Sequence, residues 1–266
     1  GMMVTSIVEG FLHLTGIGGL DPRVLPGQPV TVHGRQALPG VIVQPADHLL
    51  PPELEGKPVP LEHLLVDTGL LPAQVQRLVR PGDLVSFAQP PIELGEDYMA
   101  GHTMDNRTSV AAVTACLQEL QGRKLAWDVW AVATTQEEVT LGGAATSGFA
   151  LRPSLAVAID VTFAASPGSS GYRTFPLGKG ITLGWGSNIH PKLHKLFAEL
   201  ADRLEIPWKL ETMPRYSGTD AMALQVAAEG IPSMVIGIPL RYMHTPVEMV
   251  AFKDILRVGR LLAEFA

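Results

Sequence analysis

The chain has 266 residues, enough for one large domain or two modest ones, and its net charge of −6 without a Lys/Arg cluster argues against nucleic acid as a partner. The single cysteine excludes an intramolecular disulfide, and neither an 18-residue apolar run nor a signal-peptide pattern occurs, so we expect a cytoplasmic protein with no membrane partner. Hydrophobic residues make up 46% of the chain and charged residues 17%, which predicts spare apolar surface and a homo-oligomer.

Residues 1–97 are predicted to form a small β domain. Short β-like stretches alternate there with Gly-Gly, Pro-Gly and Gly-Asp pairs, which favour turns. One helix is predicted at residues 72–79, because proline suits a first helical turn and the following Pro-Gly-Asp would end it. This pattern is typical of a small β-barrel. The predicted strands are 3–8, 29–33, 41–44 and 84–88.

Residues 98–266 show helices that alternate with apolar runs. This alternation predicts an α/β domain with a mostly parallel sheet and flanking helices, in which ligands bind at the carboxyl ends of the strands. Because the runs are almost continuously apolar, we expect strands that are buried on both faces. The predicted strands are 129–135, 155–161 and 233–239. The predicted helices are 106–120, 192–204, 219–229 (with Thr219 as N-cap) and 252–265.

Four carboxylates and one imidazole fall beside these predicted elements. Two of the carboxylates are adjacent and directly follow the first apolar run, where one can bind a metal while the other acts as a general base. Acidic and histidine side chains from several elements of an α/β domain are typical of a metal-hydrolase site, and we interpret the chain first as a metallopeptidase. The five residues are Asp105, Glu137, Glu138, Asp160 and His244.

Peptide hydrolysis by two metal ions requires a bridging carboxylate, terminal ligands on each ion and a separate base. We expect Asp105 to bridge the ions, Glu138 and His244 to complete the coordination of one ion, and Asp160 to bind the other. Glu137 is the expected base, which takes the proton from the attacking water and passes it to the leaving amine.

Each of these residues also has a purely structural interpretation. Asp105 could cap the helix that follows it, and the adjacent glutamates could be a solvated loop pair. Asp220 is explained most simply as a first-turn acid that favours the helix dipole. Asp160 is harder to explain structurally, because an uncompensated buried carboxylate is costly. The other histidines are expected at the surface, in the β region or behind the ligands, and Cys116 is expected to be a packing residue.

Six short motifs, in order, resemble those of the glutamyl aminopeptidase and deblocking aminopeptidase family, the tetrahedral-shell (TET) metallo-aminopeptidases formerly mislabelled as endoglucanases. The resemblance implies a zinc-exopeptidase-like domain, a PDZ-like β domain for assembly, peptide substrates, two zinc or cobalt ions and a twelve-subunit shell. It implies the same roles for the five site residues, and Asp220 and Arg241 are candidates for substrate binding. The motifs are MDNR (104–107), TQEEV (135–139), AIDVT (158–162), LGKG (177–180), GTDA (218–221) and RYMHTPVE (241–248).

The chain departs from the family pattern at its start, where family members carry a His-x-Asp motif whose histidine binds one metal. The ion served by Asp105, Glu138 and His244 keeps its protein ligands, whereas we expect an impaired second site at Asp160 and missing N-terminal strands. The expected function is therefore a metal-dependent aminopeptidase. The alternative is a catalytically impaired or single-metal homologue with a binding or assembly role.

A carboxypeptidase or deacylase would use the same types of metal ligand, but the β domain that precedes residue 98 argues against these enzymes. The preferred N-terminal residue of the substrate is expected to depend on loops at 163–172 and 209–217.

Overall fold

The computed structural model describes residues 1–169 and 171–266. The chain folds into two compact units, one formed by residues 1–91 with 244–246 and the other by residues 92–243 with 247–266. Among the described residues, no helix has the length and apolar character that crossing a membrane requires. The expected specificity loop at 163–172 includes residue 170, which lies outside the described residues.

Six antiparallel strands close into a barrel in the first unit. The strands are β1 (Met2–Val8), β2 (Phe11–Gly16), β3 (Pro29–His33), β4 (Ala37–Val43), β5 (Leu65–Asp67) and β6 (Leu84–Phe87), and helix α1 (Pro72–Leu78) lies between the last two. Their order is β1-β2-β5-β4-β3-β6, and β1 pairs with β6 to close the circle. Side chains alternate between the core and the surface, as Val30 and Val32 of β3 show. The predicted barrel is confirmed, although β2 and β5 were not among the predicted strands.

The second unit contains a seven-stranded sheet with helices packed against it. Its strands are β7 (Ile92–Leu94), β8 (Tyr98–Gly101), β9 (Ala156–Phe163), β10 (Ile181–Gly186), β11 (Trp208–Met213), β12 (Ser233–Arg241) and β13 (Glu248–Ala251). Its helices are α2 (Met104–Leu120), α3 (Glu137–Thr140), α4 (Gly142–Leu151), α5 (Pro191–Arg203), α6 (Ala221–Leu224) and α7 (Phe252–Phe265). The strand order is β11-β10-β12-β13-β8-β7, and β9 also pairs with β12.

This sheet is mixed, and the prediction of a mostly parallel sheet is wrong. Strand β9 runs parallel to β12 and β10 runs parallel to β11, but the other pairings between the named strands of this sheet are antiparallel. The short connection between β12 and β13 explains their antiparallel pairing. Only a short link (242–247) joins β12 to β13, and a parallel return needs a crossover of a dozen or more residues.

The apolar run at 129–135 is not a strand, which corrects a second prediction. In the described ranges no strand pairs with it, and Trp130 is 68% exposed. Apolar composition favours a strand only where neighbouring strands satisfy the backbone on both edges, and the described part of the chain supplies none here. The flanks are held instead by backbone hydrogen bonds from Ala126 N to Ala266 O (2.9 Å) and from Gly143 N to Thr135 O (2.9 Å).

The helical predictions differ in their outcome. Helix α7 begins and ends where its amphipathic pattern predicts, whereas the helix predicted at 219–229 ends at Leu224. Beyond that residue, Ala227 N donates to Leu224 O and Gly230 N donates to Ala227 O, which are tighter, three-residue bonds. Ala228 also has a φ of 51°, in the left-handed region that an α-helix excludes.

Helices α2 and α7 approach closely at Gly259. A Cβ at this position would lie 2.8 Å from Ala115 Cβ and 2.9 Å from Ala112 O. We therefore expect Gly259→Val to lower the free energy of unfolding by about 1–3 kcal/mol, because it overpacks a close contact. Urea denaturation measures this change, and Arg260→Ala, at an exposed neighbour, is the control, with an expected change within about 0.5 kcal/mol. Equal midpoints for Gly259→Val and wild type would show that the close approach is not required.

Candidate metal centre

Three predicted ligands come together in the structure. One carboxylate oxygen each of Asp105 and Glu138 and one ring nitrogen of His244 all lie within 4.8 Å of one another. Asp105 is half-buried, whereas Glu138 and His244 are exposed, so the cluster is open to solvent. Two carboxylates and an imidazole are a donor set that zinc and related divalent ions use in hydrolases. The residues present therefore fit a divalent metal.

Asp105 is held by hydrogen bonds from its own segment to two strands. Its backbone N donates to Glu248 Oε2 of β13 (3.0 Å), and the neighbouring Asn106 Nδ2 donates to Ile159 O of β9 (3.0 Å). Asp105 and Asn106 have non-helical φ/ψ values at a kink near the start of α2, and the regular helix continues beyond them. The second of these bonds ties Asp105 to the strand that carries Asp160.

The adjacent glutamates begin the short helix α3 instead of following a strand, so that part of the prediction is wrong. Gln136 precedes them with a φ of 63°, a left-handed conformation that reverses the chain direction. Successive residues of a helical turn project about 100° apart, which follows from 3.6 residues per turn. Glu137 and Glu138 can therefore face different partners, and the former is half-buried while the latter is exposed.

Asp160 lies within β9 and not at its end, because the buried alternation of this strand continues to Thr162. The side chain is 9% exposed, and its Oδ1 accepts a hydrogen bond from Val161 N (2.8 Å). Burial raises the pKa of Asp160 well above its ordinary value, and the negative charge of Asp105 adds to this effect. Asp160 is not one of the three clustered residues, but the charge of Asp105, which is one of them, acts on it.

The carboxylates of the site destabilise one another in their charged forms. Burial raises the pKa of Asp105 from 3.8 to about 7, with further contributions from the charges of Glu138, Glu248 and Glu137. Burial also raises the pKa of Glu137 from 4.5 to about 7, with contributions from Glu138 and Asp220. A cation among these groups would reverse the effect, since it favours the charged carboxylates.

We expect the metal-free protein to lose stability as pH rises from about 4 to about 7. A carboxyl whose pKa is raised on folding binds its proton more tightly in the native state, so its contribution to stability is present below the unfolded pKa and is lost as pH rises through the folded pKa. Thermal denaturation of chelator-treated protein across this range measures the loss. Asp105→Asn should reduce it, and a variant with the pH dependence of wild type would contradict the assignment.

Two features of the site were not predicted from the sequence. Glu248 is 3% exposed and supports Asp105 through the hydrogen bond described above, although it was visible only as the last residue of the 241–248 motif. Thr134 Oγ1 donates to Asp220 Oδ2 (2.6 Å), which links the exposed 129–135 segment to the residue before α6. The other carboxylate oxygen of Asp220 is buried and, among the described residues, has no hydrogen-bond partner.

The remaining candidates, Arg241 and Cys116, lie outside the three-residue cluster. Arg241 ends β12, and its Nε donates to Ala165 O (2.7 Å). Cys116 is buried and packs against Leu120 and Ala263, as predicted. The motif at 177–180 is held by Asp254, whose fully buried carboxylate accepts hydrogen bonds from two backbone N–H groups of that motif and from Arg257.

Comparison with known proteins identifies the class to which this fold and site belong. Residues 1–261 match the M42 glutamyl aminopeptidase family. The lysyl aminopeptidase of Pyrococcus furiosus is 34% identical, over 99% of this chain and 78% of that protein. The crystal structure of the TET aminopeptidase from a marine sediment archaeon, Thaumarchaeota archaeon SCGC AB-539-E09, has a TM-score of 0.91 at 29% identity, over 100% of this chain and 77% of that one. The Pyrococcus horikoshii TET1 peptidase has a TM-score of 0.84 at 27% identity, over 100% and 80% of the two chains.

These matches place the chain among the aminopeptidases, which are hydrolases that act on peptide bonds. The chain belongs to the M42 glutamyl aminopeptidase family. Its activity is accordingly that of a metal-dependent aminopeptidase, and the cluster of Asp105, Glu138 and His244 is the place in the described structure where a metal ion fits.

Proposed function

We propose that this chain releases N-terminal residues from peptides at a dinuclear metal centre. The observation that carries the proposal is the convergence of Asp105, Glu138 and His244 within 4.8 Å. In this proposal the three residues would hold one ion, and Asp160 would hold a second, with Asp105 as a ligand of both. The charge of Asp105 is among the causes that raise the pKa of Asp160, so the two carboxylates lie near each other, which supports a shared second ion. Zinc or cobalt, when bound, would polarise the scissile carbonyl and make hydroxide available near neutral pH.

Glu137 is the proposed general base. It lies beside the ligand Glu138 but is not one of the three clustered residues, which leaves its carboxylate available for proton transfer. Glu137 is half-buried, and burial raises the pKa of its carboxyl, which favours a group that both accepts and returns a proton. Glu137 takes the proton of the attacking water and delivers it to the leaving amine.

Asp220 is the proposed site for the positively charged N-terminus of the substrate. Asp220 is half-buried, and a carboxylate can accept charge-assisted hydrogen bonds from an ammonium group. The hydrogen bond from Thr134 holds Oδ2 and so fixes the orientation of the carboxylate. Arg241, held at the end of β12 by its bond to Ala165, is the second proposed substrate-binding residue.

The proposal extends to assembly and location. The TET1 peptidase of Pyrococcus horikoshii assembles into a tetrahedron or a large octahedral shell, and we propose a homo-oligomeric assembly for this chain by analogy. Exposed apolar side chains such as Leu71 (70% exposed) and Val226 (72%) supply surface that an assembly could cover. We propose the cytoplasm as its location.

A pair of matched peptides tests the proposed function. Two peptides of identical sequence, one with a free α-amino group and the other N-acetylated, are incubated with the protein in the presence of zinc or cobalt. Because the proposed site binds a free N-terminus, mass spectrometry should show stepwise loss of single N-terminal residues from the free peptide alone. Cleavage within both peptides would contradict an aminopeptidase, and so would equal stability of both.

A further inference from the structure

We propose that Gly19 is a positioning residue for His244, a role that rests on the proposed metal site. The absence of a side chain at Gly19 leaves the space in which the imidazole lies. An added methyl group would displace the ring from the other two ligands and weaken metal binding.

Gly19 follows β2, in the same compact unit as His244. A Cβ at Gly19 would lie 2.5 Å from Nδ1 of His244, 3.0 Å from Cε1 and 3.3 Å from Cγ. Three atoms of one ring are therefore in its path, and carbon atoms in packed proteins prefer separations of about 3.5–4.0 Å. The imidazole of His244 therefore packs directly against the backbone of Gly19.

Space, and not backbone freedom, accounts for glycine at this position. Gly18 has a φ of 72°, in the left-handed region, but Gly19 is not among the residues with positive φ. An alanine at position 19 can thus adopt the same backbone conformation, and its effect should arise from the contact with the ring alone.

The backbone of His244 limits how the ring can respond. His244 has a φ of 64° and Tyr242 has a φ of 60°, so the short link between β12 and β13 contains two residues in a sparsely populated conformation. Such conformations persist where the surroundings impose them. Because the backbone of His244 is fixed in this way, a methyl group on Gly19 would be accommodated by rotation of the side chain. Rotation would carry the ring nitrogen away from the 4.8 Å cluster.

The test compares wild type, Gly19→Ala, His244→Ala and the double variant, with Gly16→Ala as a matched control. A Cβ at Gly16 meets nothing closer than 3.6 Å, so that change should have no effect on the metal. Zinc affinity is measured by calorimetry, and the imidazole signals of the metal-free proteins are measured by NMR, where His244→Ala identifies the signal of His244.

We expect Gly19→Ala to weaken zinc binding by about 10-fold or more, in the range seen when support of a metal ligand is lost, and to shift the His244 signal. In the His244→Ala background, Gly19→Ala should have no further effect on zinc affinity, because there is no ring to displace. If Gly19→Ala alone folds poorly, the double variant still provides a test, because it lacks the imidazole with which the added methyl group would clash.

Wild-type zinc affinity in Gly19→Ala would overturn the inference, as would an equal loss of affinity in the presence and absence of His244. If wild type binds no zinc, the proposed metal site fails, and the His244 signal still reports whether Gly19 sets the position of the ring.

Discussion

Replacement of Glu137 by Gln is expected to lower kcat by about 10²–10⁴-fold while leaving the metal bound. The amide keeps the size and shape of the carboxylate but cannot accept the proton of the attacking water, and general acid–base catalysis contributes rate factors of this size. Glu137 is not one of the clustered residues, so metal content should not change. Steady-state kinetics on an aminoacyl anilide, with metal analysis of the same preparation, measure both properties.

Glu138→Gln is the matched control, because it makes the same chemical change at the adjacent residue. Here we expect weaker metal binding, since the carboxylate oxygen of Glu138 belongs to the cluster. If Glu137→Gln lost metal and Glu138→Gln retained it, the roles of base and ligand would be reversed. If Glu137→Gln kept full turnover, Glu137 would not be the base.

Replacement of His244 by Ala is expected to weaken metal binding by more than about 100-fold. Changes to groups that merely support a metal ligand cost about 10–100-fold in affinity, and the loss of a ligand should cost more. His244 supplies the nitrogen of the cluster, and the two carboxylates that remain are a poorer set for zinc. Calorimetric titration of metal into chelator-treated protein measures the loss, and activity should fall in parallel at limiting metal.

His48→Ala is the control for this experiment. His48 is exposed, lies in a short helical turn of the first unit and is not part of the cluster. Its removal should leave metal affinity unchanged. Retention of wild-type affinity in His244→Ala would show that His244 is not a ligand, and an equal loss in both variants would show that the effect is not specific to the cluster.

The parts of the fold that the sequence predicts well are those whose pattern follows from local geometry. The amphipathic repeat of α7 predicts both of its ends, and Pro72 marks the start of α1. The run at 129–135 was predicted wrongly because an apolar stretch becomes a strand only when other strands pair with it. The antiparallel direction of β13 against β12 follows likewise from the short link at 242–247, which apolar patterning does not encode.

For the candidate site, residue type and motif order predict the three residues that the structure brings together, Asp105, Glu138 and His244, since few side chains bind divalent metals. The residues that hold these three side chains in place could not be predicted from residue type and motif order. The bond from Asp105 to Glu248 joins residues 143 positions apart, and the space at Gly19 serves a ring that is distant along the chain, at His244. Such interactions follow from tertiary packing and leave no local pattern.

Metal-dependent release of N-terminal residues is the most direct measurement of the central claim. The chain is treated with chelator and tested on a panel of aminoacyl anilides, and zinc or cobalt is then added back in steps. We predict no turnover in the chelated protein and a rate that rises with added metal until the site is saturated, together with a preferred N-terminal side chain. Turnover that persists in chelator would contradict a metal-dependent aminopeptidase. The absence of turnover on every anilide of the panel at saturating metal would contradict it as well.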